Sequence, residues 1–218
     1  MDGARDLAVV DEFDGGAGWV ADPDGAMRRT SHLLVDDGGV WVVEPVDAPG
    51  LDDLLEEYGP VLGVVVLLDR HARDSAAVAA RHGVAVHRPV GVTRAFDAPT
   101  TPLLGELGDS GYRVGTAVDL PGWHESVLWD GETLVVPEAV GTTDVFTVGD
   151  EVLGVQPVIR LLPPRRLLAY GPDRVLCGHG AGVFADATAA LEDAVLSARR
   201  TAPRALAGLA RAMLGSLR

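Results

Sequence analysis

Residues 61–74 read VLGVVVLLDRHARD and carry the strongest structural signal in the chain. The first eight are almost all aliphatic, which is typical of a β-strand covered on both faces. A polar loop with His71 follows, and Ser75–His82 then predicts a short helix that ends at Gly83. A buried strand that leads into a histidine-bearing loop and a helix indicates a layered α/β protein with a site at the strand end.

The same order recurs near the C-terminus. Arg174–Cys177 predicts a second buried strand, the loop after it carries His179 between two glycines, and residues 186–200 predict a helix. Pro203 is expected to open a last amphipathic helix, which gives C-terminal helices over about residues 186–217. The inward stripe of that helix is predicted to be Leu206, Leu209, Met213 and Leu217. Core packing and a docking surface both account for this stripe.

Between these two units, strands and helices alternate. Residues 31–35 and 40–43 predict a hairpin, and Leu51–Tyr58 has apolar residues at helical spacing. Residues 90–107 contain proline and glycine and predict a loop with a short helix. Further strands are predicted at residues 114–120, 126–129 and 133–136, and a short helix at residues 165–168.

Composition narrows the class of protein. The 218 residues are 47% hydrophobic, so they can bury one core, and a single domain over residues 1–218 is expected. No apolar run is long enough for a membrane span, and one cysteine, Cys177, fits a reducing compartment, so we predict a cytoplasmic protein. A net charge of -14 argues against nucleic acid and anionic membranes as partners.

All 18 basic residues are arginine, and the chain contains no lysine. An excess of acids with no lysine is typical of proteins that work in concentrated salt, where ions screen the repulsion between carboxylates. A GC-rich genome also favours arginine over lysine. We predict a halophilic protein, and both explanations assign the charge to habitat and not to a partner.

Four short motifs, taken in order, carry a resemblance to a known family. The first is the loop of Asp69, His71, Arg73 and Asp74 after the buried strand. The second is the turn PGWH, which ends at His124. Glu138 follows the strand at residues 133–136, and GHG surrounds His179. Over almost the whole chain this order resembles the metallo-β-lactamase superfamily, and it implies a four-layer αββα sandwich made of two similar halves.

The resemblance also implies a metal site whose ligands are partly replaced. In the family the first loop reads His-x-His-x-Asp-His; here Asp69 stands at the first histidine, His71 matches the second, Arg73 replaces the aspartate and Asp74 the last histidine. His124 corresponds to the family's Pro-Gly-His turn with one residue inserted. Glu138 stands at the bridging aspartate, and the Gly-His-Gly around His179 matches without change.

The ligand count then predicts one divalent metal ion, zinc or another, or none. Asp69, His71, His124 and Glu138 provide a four-ligand set of nitrogen and oxygen. A second site would keep Asp74, Glu138 and His179. Arg73 stands where that site needs a carboxylate, and a guanidinium cannot ligate a cation.

The implied activity is metal-dependent hydrolysis of a small molecule, such as an ester, thioester or lactone. Asp74 or Glu138 is the candidate proton acceptor, and Arg73 the candidate group that stabilises an oxyanion. The alternative is a non-catalytic protein that keeps the fold as a binding or regulatory module.

Each site residue also has a structural interpretation. His71 fits a loop cap, Asp74 a helix N-cap, and Arg73 an ion pair with Asp69 or Asp74. His124 fits a packed turn and Glu138 a solvated strand end. The sequence leaves the substrate, the metal and the oligomeric state open.

Overall fold

The computed structural model describes residues 7–215, with side chains up to residue 211. Its largest element is a seven-stranded sheet whose strands follow sequence order. The first three pairs of neighbouring strands are antiparallel and the last three pairs are parallel. Its strands are β1 (Ala8–Phe13), β2 (Gly16–Val20), β3 (Thr30–Asp36), β4 (Gly39–Val43), β5 (Val61–Val65), β6 (Val86–Arg88) and β7 (Thr100–Pro102).

A second sheet consists of β8 (Arg113–Leu120), β9 (Trp123–Trp129), β10 (Thr133–Val136) and β13 (Arg174–Cys177). Its strand order is β13-β10-β9-β8, and β10 pairs antiparallel with β9 and parallel with β13. A two-stranded ribbon consists of β11 (Val140–Gly141) and β12 (Gly154–Val155). The part of the chain that the structure describes also contains three α-helices: α1 (Leu51–Tyr58), α2 (Ser75–His82) and α3 (Ala187–Gly215).

The buried residues form three clusters, which define four layers. One cluster lies between the first sheet and helices α1 and α2, one between the two sheets, and one between the second sheet and α3. The aliphatic run shows the principle: Val64 and Val66 face the helices, whereas Val65 and Leu67 face the other sheet. Alternate residues of a strand point to opposite faces, so a strand in an inner layer must be apolar on both. The predicted four-layer αββα sandwich is confirmed.

The structure differs from the sequence prediction in two regions. Residues 90–107 contain the edge strand β7 in place of a helix, because Thr100 and Thr101 pair in parallel with β6 and Pro102 cannot continue a helix.

The two predicted C-terminal helices are one helix, α3, which runs through Pro203. The loss of one backbone hydrogen bond at Pro203 is tolerated because the buried stripe continues across the proline, from Ala202 before it to Ala205 after it. Leu206 is 41% exposed and so does not face inward, and the side chains of Met213 and Leu217 lie outside the described residues. Among residues 7–215, no helix has the length and apolar character needed to cross a membrane.

Candidate metal centre

The candidate site lies between the two sheets, where two pairs of parallel strands end. In the first sheet β4 and β5 run parallel and lead to Glu44 and to the loop with His71. In the second sheet β10 and β13 run parallel and lead to Glu138 and His179. Because carboxyl ends of parallel strands share one edge of a sheet, the four side chains come together there.

Three of these side chains form a compact cluster. The Nε2 atoms of His71 and His179 are 3.3 Å apart, and His71 Nε2 lies 3.4 Å from Glu138 Oε2. All three ligand atoms lie within 4.8 Å of one another, and the three residues are buried, with exposures of 3–7%. This is the only such group of potential metal ligands among the described residues.

Both glycines beside His179 are needed for this placement. A Cβ at Gly178 would lie 2.1 Å from the carbonyl oxygen of Pro137, because the two loops cross in close contact. Gly180 has a φ of +86°, which a side chain rarely adopts, and a Cβ there would meet Thr142. Thr30 then fixes the loop through its hydroxyl, which donates to the carbonyl of Gly180 at 2.6 Å.

The hydrogen bonds of the outer ring nitrogens orient both imidazoles. His71 Nδ1 lies 2.6 Å from Glu44 Oε2, and His179 Nδ1 lies 2.9 Å from the carbonyl oxygen of Met27. A carbonyl oxygen only accepts hydrogen bonds, so His179 Nδ1 carries the proton and a neutral His179 presents a bare Nε2. The two Nε2 atoms therefore point at each other across the cluster.

The electrostatics of the two rings differ. Burial, together with the neighbouring charges of His71 and Arg73, lowers the pKa of His179 to about 3. Burial also lowers the pKa of His71, but the carboxylates of Glu44 and Glu138 outweigh it and raise that pKa above its usual value. Both ring nitrogens of His71 face acceptors, Glu44 Oε2 and the bare Nε2 of His179, so in the metal-free protein His71 is an imidazolium that donates to both.

Glu44 is a functional candidate that the sequence analysis missed. It is 2% exposed and has a φ of +48°, an uncommon conformation for a residue with a side chain. Its Oε2 faces His71, and its Oε1 accepts a hydrogen bond from the backbone amide of Leu67 at 3.1 Å. The available signal was an acid directly after the apolar residues 40–43 and before Pro45.

Arg73 fixes the backbone around the cluster. Its guanidinium donates to the carbonyl oxygens of Thr30 (2.6 Å), Glu44 (3.0 Å) and Gly178 (2.9 Å). Burial lowers its pKa to about 10, and Glu44 opposes this effect, so it stays charged at neutral pH. A fixed positive charge thus lies beside His71, whose Nδ1 is 3.5 Å from Arg73 Nη2.

A second arginine covers the cluster from outside. The Nε of Arg70 contacts Glu138 Oε2, and the guanidinium lies 3.8 Å above the ring of Trp123. Burial raises the pKa of Glu138, but His71 and Arg70 outweigh it and bring that pKa to about 2. Glu138 is therefore a carboxylate at any moderate pH.

Glu125 supports this arrangement from beneath. Its Oε1 accepts from the backbone amides of Glu138 (2.8 Å) and Ala139 (2.7 Å), and its Oε2 accepts from the indole of Trp123 at 2.8 Å. Complete burial raises the pKa of Glu125 to about 7 in spite of these three bonds. One carboxylate thus sets the positions of both Glu138 and the ring under Arg70.

Solved structures with the same architecture cover nearly the whole chain. DIM-1 metallo-β-lactamase matches with a TM-score of 0.64 and 14% identity, over 91% of this chain and all of that one. A metallo-β-lactamase from Pontibacter korlensis matches with a TM-score of 0.62 and 14% identity, over 90% and 98%. A Nostoc sp. PCC 7120 protein named as diflavin flavoprotein A 5 (fragment 1–254) matches with a TM-score of 0.63 and 12% identity, over 91% and 98%.

The chain has the metallo-β-lactamase fold. No protein-family model and no curated protein sequence matches it. Identities this low establish the fold alone, and the site must be judged by its own residues.

Within this metallo-β-lactamase fold, three of the predicted ligands meet and two do not. His71, Glu138 and His179 form the cluster. Asp69 turns away: its carboxylate accepts hydrogen bonds from the backbone amides of Thr93 and Arg94 at 2.7 and 2.8 Å. The predicted set of Asp69, His71, His124 and Glu138 therefore does not converge.

His124 lies away from the cluster, on the opposite face of strand β9 from Trp123 and Glu125. Trp123 and Glu125 share the face of Val127, which packs toward α3, whereas the ring of His124 lies against Gly91. Its ring is 33% exposed, and its Nδ1 lies 3.3 Å from Asp119 Oδ1. The residue inserted before this histidine in the sequence, Trp123, takes the buried position at the start of the strand.

The two predicted catalytic residues also separate. Arg73 lies at the cluster, but three carbonyl groups hold its guanidinium. Asp74 precedes α2, and its carboxylate accepts from the backbone amide of Asp47 at 2.9 Å, without capping that helix. The carboxylate of Asp74 thus binds the loop after β4 and does not face the cluster as a proton acceptor would.

Proposed function

We propose that the chain binds a single divalent cation through His71, Glu138 and His179 and uses it in hydrolysis. The observation that carries the proposal is the convergence of three ligand atoms at 3.3 and 3.4 Å. Two ligands at about 2.0–2.1 Å from a tetrahedral ion lie roughly 3.3–3.4 Å apart, so these separations suit one small cation.

The donor set fits such an ion. Two neutral imidazole nitrogens and one carboxylate suit zinc and also accept iron or manganese. His179 already presents its bare Nε2, and Glu138 is ionised. The outer nitrogen of each ring is held by Glu44 or by Met27, which is the support that metal-binding histidines require.

The number of ions is limited to one by Arg73. Its charge lies within 3.5 Å of the ring of His71, and it occupies the position at which the resemblance places a ligand of the second metal. A second cation there would face an uncompensated guanidinium.

The chemistry that a bound cation supplies is activation of water and polarisation of a carbonyl or phosphoryl oxygen. The residues of this chain would orient it: Glu44 fixes His71, and Glu125 fixes Glu138. Arg73 contributes positive potential but stays bound to its carbonyl groups. An ester, thioester or lactone as substrate remains part of the proposal.

A metal-free, non-catalytic protein is the second candidate, and the hydrogen bonds of the cluster favour it directly. The imidazolium of His71 donates to both Glu44 and His179, and Arg70 contacts Glu138. The imidazolium of His71 and the guanidinium of Arg70 compensate the carboxylates of Glu44 and Glu138 without any ion. On this candidate the cluster is a buried polar core.

Titration of chelator-treated, untagged protein with zinc and manganese, followed by calorimetry and metal analysis, separates the two. One equivalent should bind, and His71→Ala or His179→Ala should weaken binding by at least about 100-fold through loss of one of three ligands. Arg70→Gln should tighten binding about tenfold, because Arg70 competes with the cation for Glu138.

His124→Ala is the matched control, since this histidine belongs to the same end of the molecule and faces outward. Less than about a tenth of an equivalent of any metal would establish the metal-free candidate. Equal losses in the His71→Ala and His124→Ala variants would contradict the proposed ligand set. Hydrolysis of chromogenic ester, thioester and lactone substrates by the loaded protein then tests the reaction.

A further inference from the structure

A cleft beside the cluster has no assigned role. It has a volume of about 240 Å³ and is lined by Leu68, Asp69, Arg70, Leu120, Trp123 and His124. Pockets for drug-sized ligands start at roughly 300 Å³, so this cleft suits one functional group with a short apolar extension. Arg70 joins the two places, since it lines the cleft and its Nε contacts Glu138.

Arg70 presents a prepared donor edge to this cleft. Its Nε is bound to Glu138, and its face rests on the ring of Trp123, so the plane of the guanidinium is fixed. Its two Nη groups make no hydrogen bond to any residue of the described part of the chain, and the side chain is 41% exposed. A guanidinium held at one edge with two free donors at another is suited to bidentate binding of a carboxylate or phosphate.

The other walls of the cleft agree with an anionic ligand that has an apolar part. Leu68, Leu120 and Trp123 supply apolar surface. Asp69 is the one carboxylate of the lining, and both of its oxygens are occupied: Oδ1 accepts from the amides of Thr93 and Arg94, and Oδ2 accepts from the hydroxyl of Thr93 at 2.9 Å. Its charge is therefore turned toward that loop and compensated there.

We propose that this cleft binds the oxyanion group, carboxylate or phosphate, of a small acid through the Nη edge of Arg70, with the apolar part of the acid against Leu120 and Trp123. As a statement about substrate class, the inference rests on the proposed hydrolase function. As a statement about binding, it does not require a metal. Arg70 links the cleft to Glu138, so a ligand bound to Arg70 is next to the candidate cation site.

The test uses the full chain in EDTA, with hexanoate, inorganic phosphate and neutral hexanamide as probes. Calorimetry measures affinity, and the indole N–H resonance of Trp123, assigned with Trp123→Phe, locates binding. Hexanoate or phosphate should bind at least about tenfold more tightly than hexanamide, and Arg70→Gln should abolish that preference. Binding of only one of the two anions identifies its group as the ligand class and supports the site.

Arg113→Gln is the matched control, because Arg113 also contacts a carboxylate through Nε (Glu106, 3.0 Å) but lies at the far end of β8 and is 74% exposed. It should bind both anions as the unaltered chain does. Arg70→Lys keeps the charge without the bidentate edge and should retain only part of the affinity. Equal binding of hexanoate and hexanamide, or unchanged anion binding in Arg70→Gln, would overturn the inference. Because EDTA is present, either result is independent of whether the cluster binds metal.

Discussion

At the scale of single residues, the central fact is that two imidazole nitrogens face each other inside a closed site. His71 Nε2 and His179 Nε2 are 3.3 Å apart, and two bare lone pairs at that distance would repel each other. A proton or a metal ion must lie between them. The proposed function and its metal-free alternative are the two ways in which this requirement can be met.

The metal-free protein should lose stability in acid because of His179. Its pKa in the folded state is about 3, below the usual value near 6.5, since burial and the charges of His71 and Arg73 disfavour its protonation. The unfolded chain therefore binds more protons between these values. The stability that depends on neutral His179 is complete above about pH 6.5 and is lost as the pH falls toward 3.

The expected loss is about 2 kcal/mol in the free energy of unfolding between pH 6.5 and pH 4.5. His71, whose pKa is raised, contributes in the opposite direction and chiefly on the alkaline side of its usual value. Urea unfolding in EDTA should show this acid slope in the unaltered chain and in the exposed-ring control His124→Asn, but not in His179→Asn. An equal slope in all three proteins would show that His179 is not its source.

At the scale of elements, hydrophobic periodicity in the sequence predicted the helices and strands whose burial it reflects. The aliphatic run after Pro60, the helix Leu51–Tyr58 and the strand Arg174–Cys177 were predicted because their periodicity reports burial directly. The prediction that a separate helix begins at Pro203 was wrong. Proline locally favours a helix start, but the buried stripe of α3 outweighs that preference.

The site was only partly predictable for a related reason. His71, Glu138 and His179 follow strands that end at one place, and their order in the sequence indicates this. Glu44 becomes important only through its contact with His71, 27 residues away at the end of the neighbouring strand. Arg70 becomes important only through its contact with Glu138, 68 residues away and across the two sheets. His124 was misplaced because a shift of one residue in a strand reverses the direction of a side chain.

The segment around β12, which packs on α3, offers a test of how elements support the site. Arg160 is fully buried and contacts Glu151 Oε2 at 2.7 Å, the carbonyl oxygen of Val155 at 2.9 Å and, from the same guanidinium, Phe146 and Thr201. It thereby joins α3 to the segment that carries Phe146, whose ring stacks on His179 with centroids 5.1 Å apart.

Arg160→Met should lower the free energy of unfolding by about 3 kcal/mol, because it leaves Glu151 and several carbonyl groups without their buried partner. Arg113→Gln, which removes an exposed ion pair, should change stability by no more than about 0.5 kcal/mol. Chemical denaturation of both variants gives the comparison. A loss in Arg160→Met as small as that in Arg113→Gln would mean that packing alone positions this segment.

At the scale of the whole molecule, charge is the dominant property. The chain has 32 acidic and 18 basic residues. Among the described residues, the acids Asp11, Glu44, Glu125 and Glu138 and the base Arg160 are buried. Most of the net charge of -14 therefore lies on the surface. Halophilic habitat and cytoplasmic location both remain predictions from this composition and from the single, buried Cys177.

Self-repulsion of this surface should make stability depend on salt. At about 0.1 M salt the screening length is roughly 10 Å, which leaves neighbouring carboxylates coupled, and at 1 M it is about 3 Å. An increase from about 0.1 M to 2 M KCl should add about 2 kcal/mol or more, which is roughly 4–8 °C in Tm at this chain length. Sucrose is the control, since it strengthens burial without screening charge. A Tm that does not respond to KCl, or that rises equally in sucrose, would mean that the acidic surface is not an adaptation to concentrated salt. A GC-rich genome would then be the simpler reason for arginine in place of lysine.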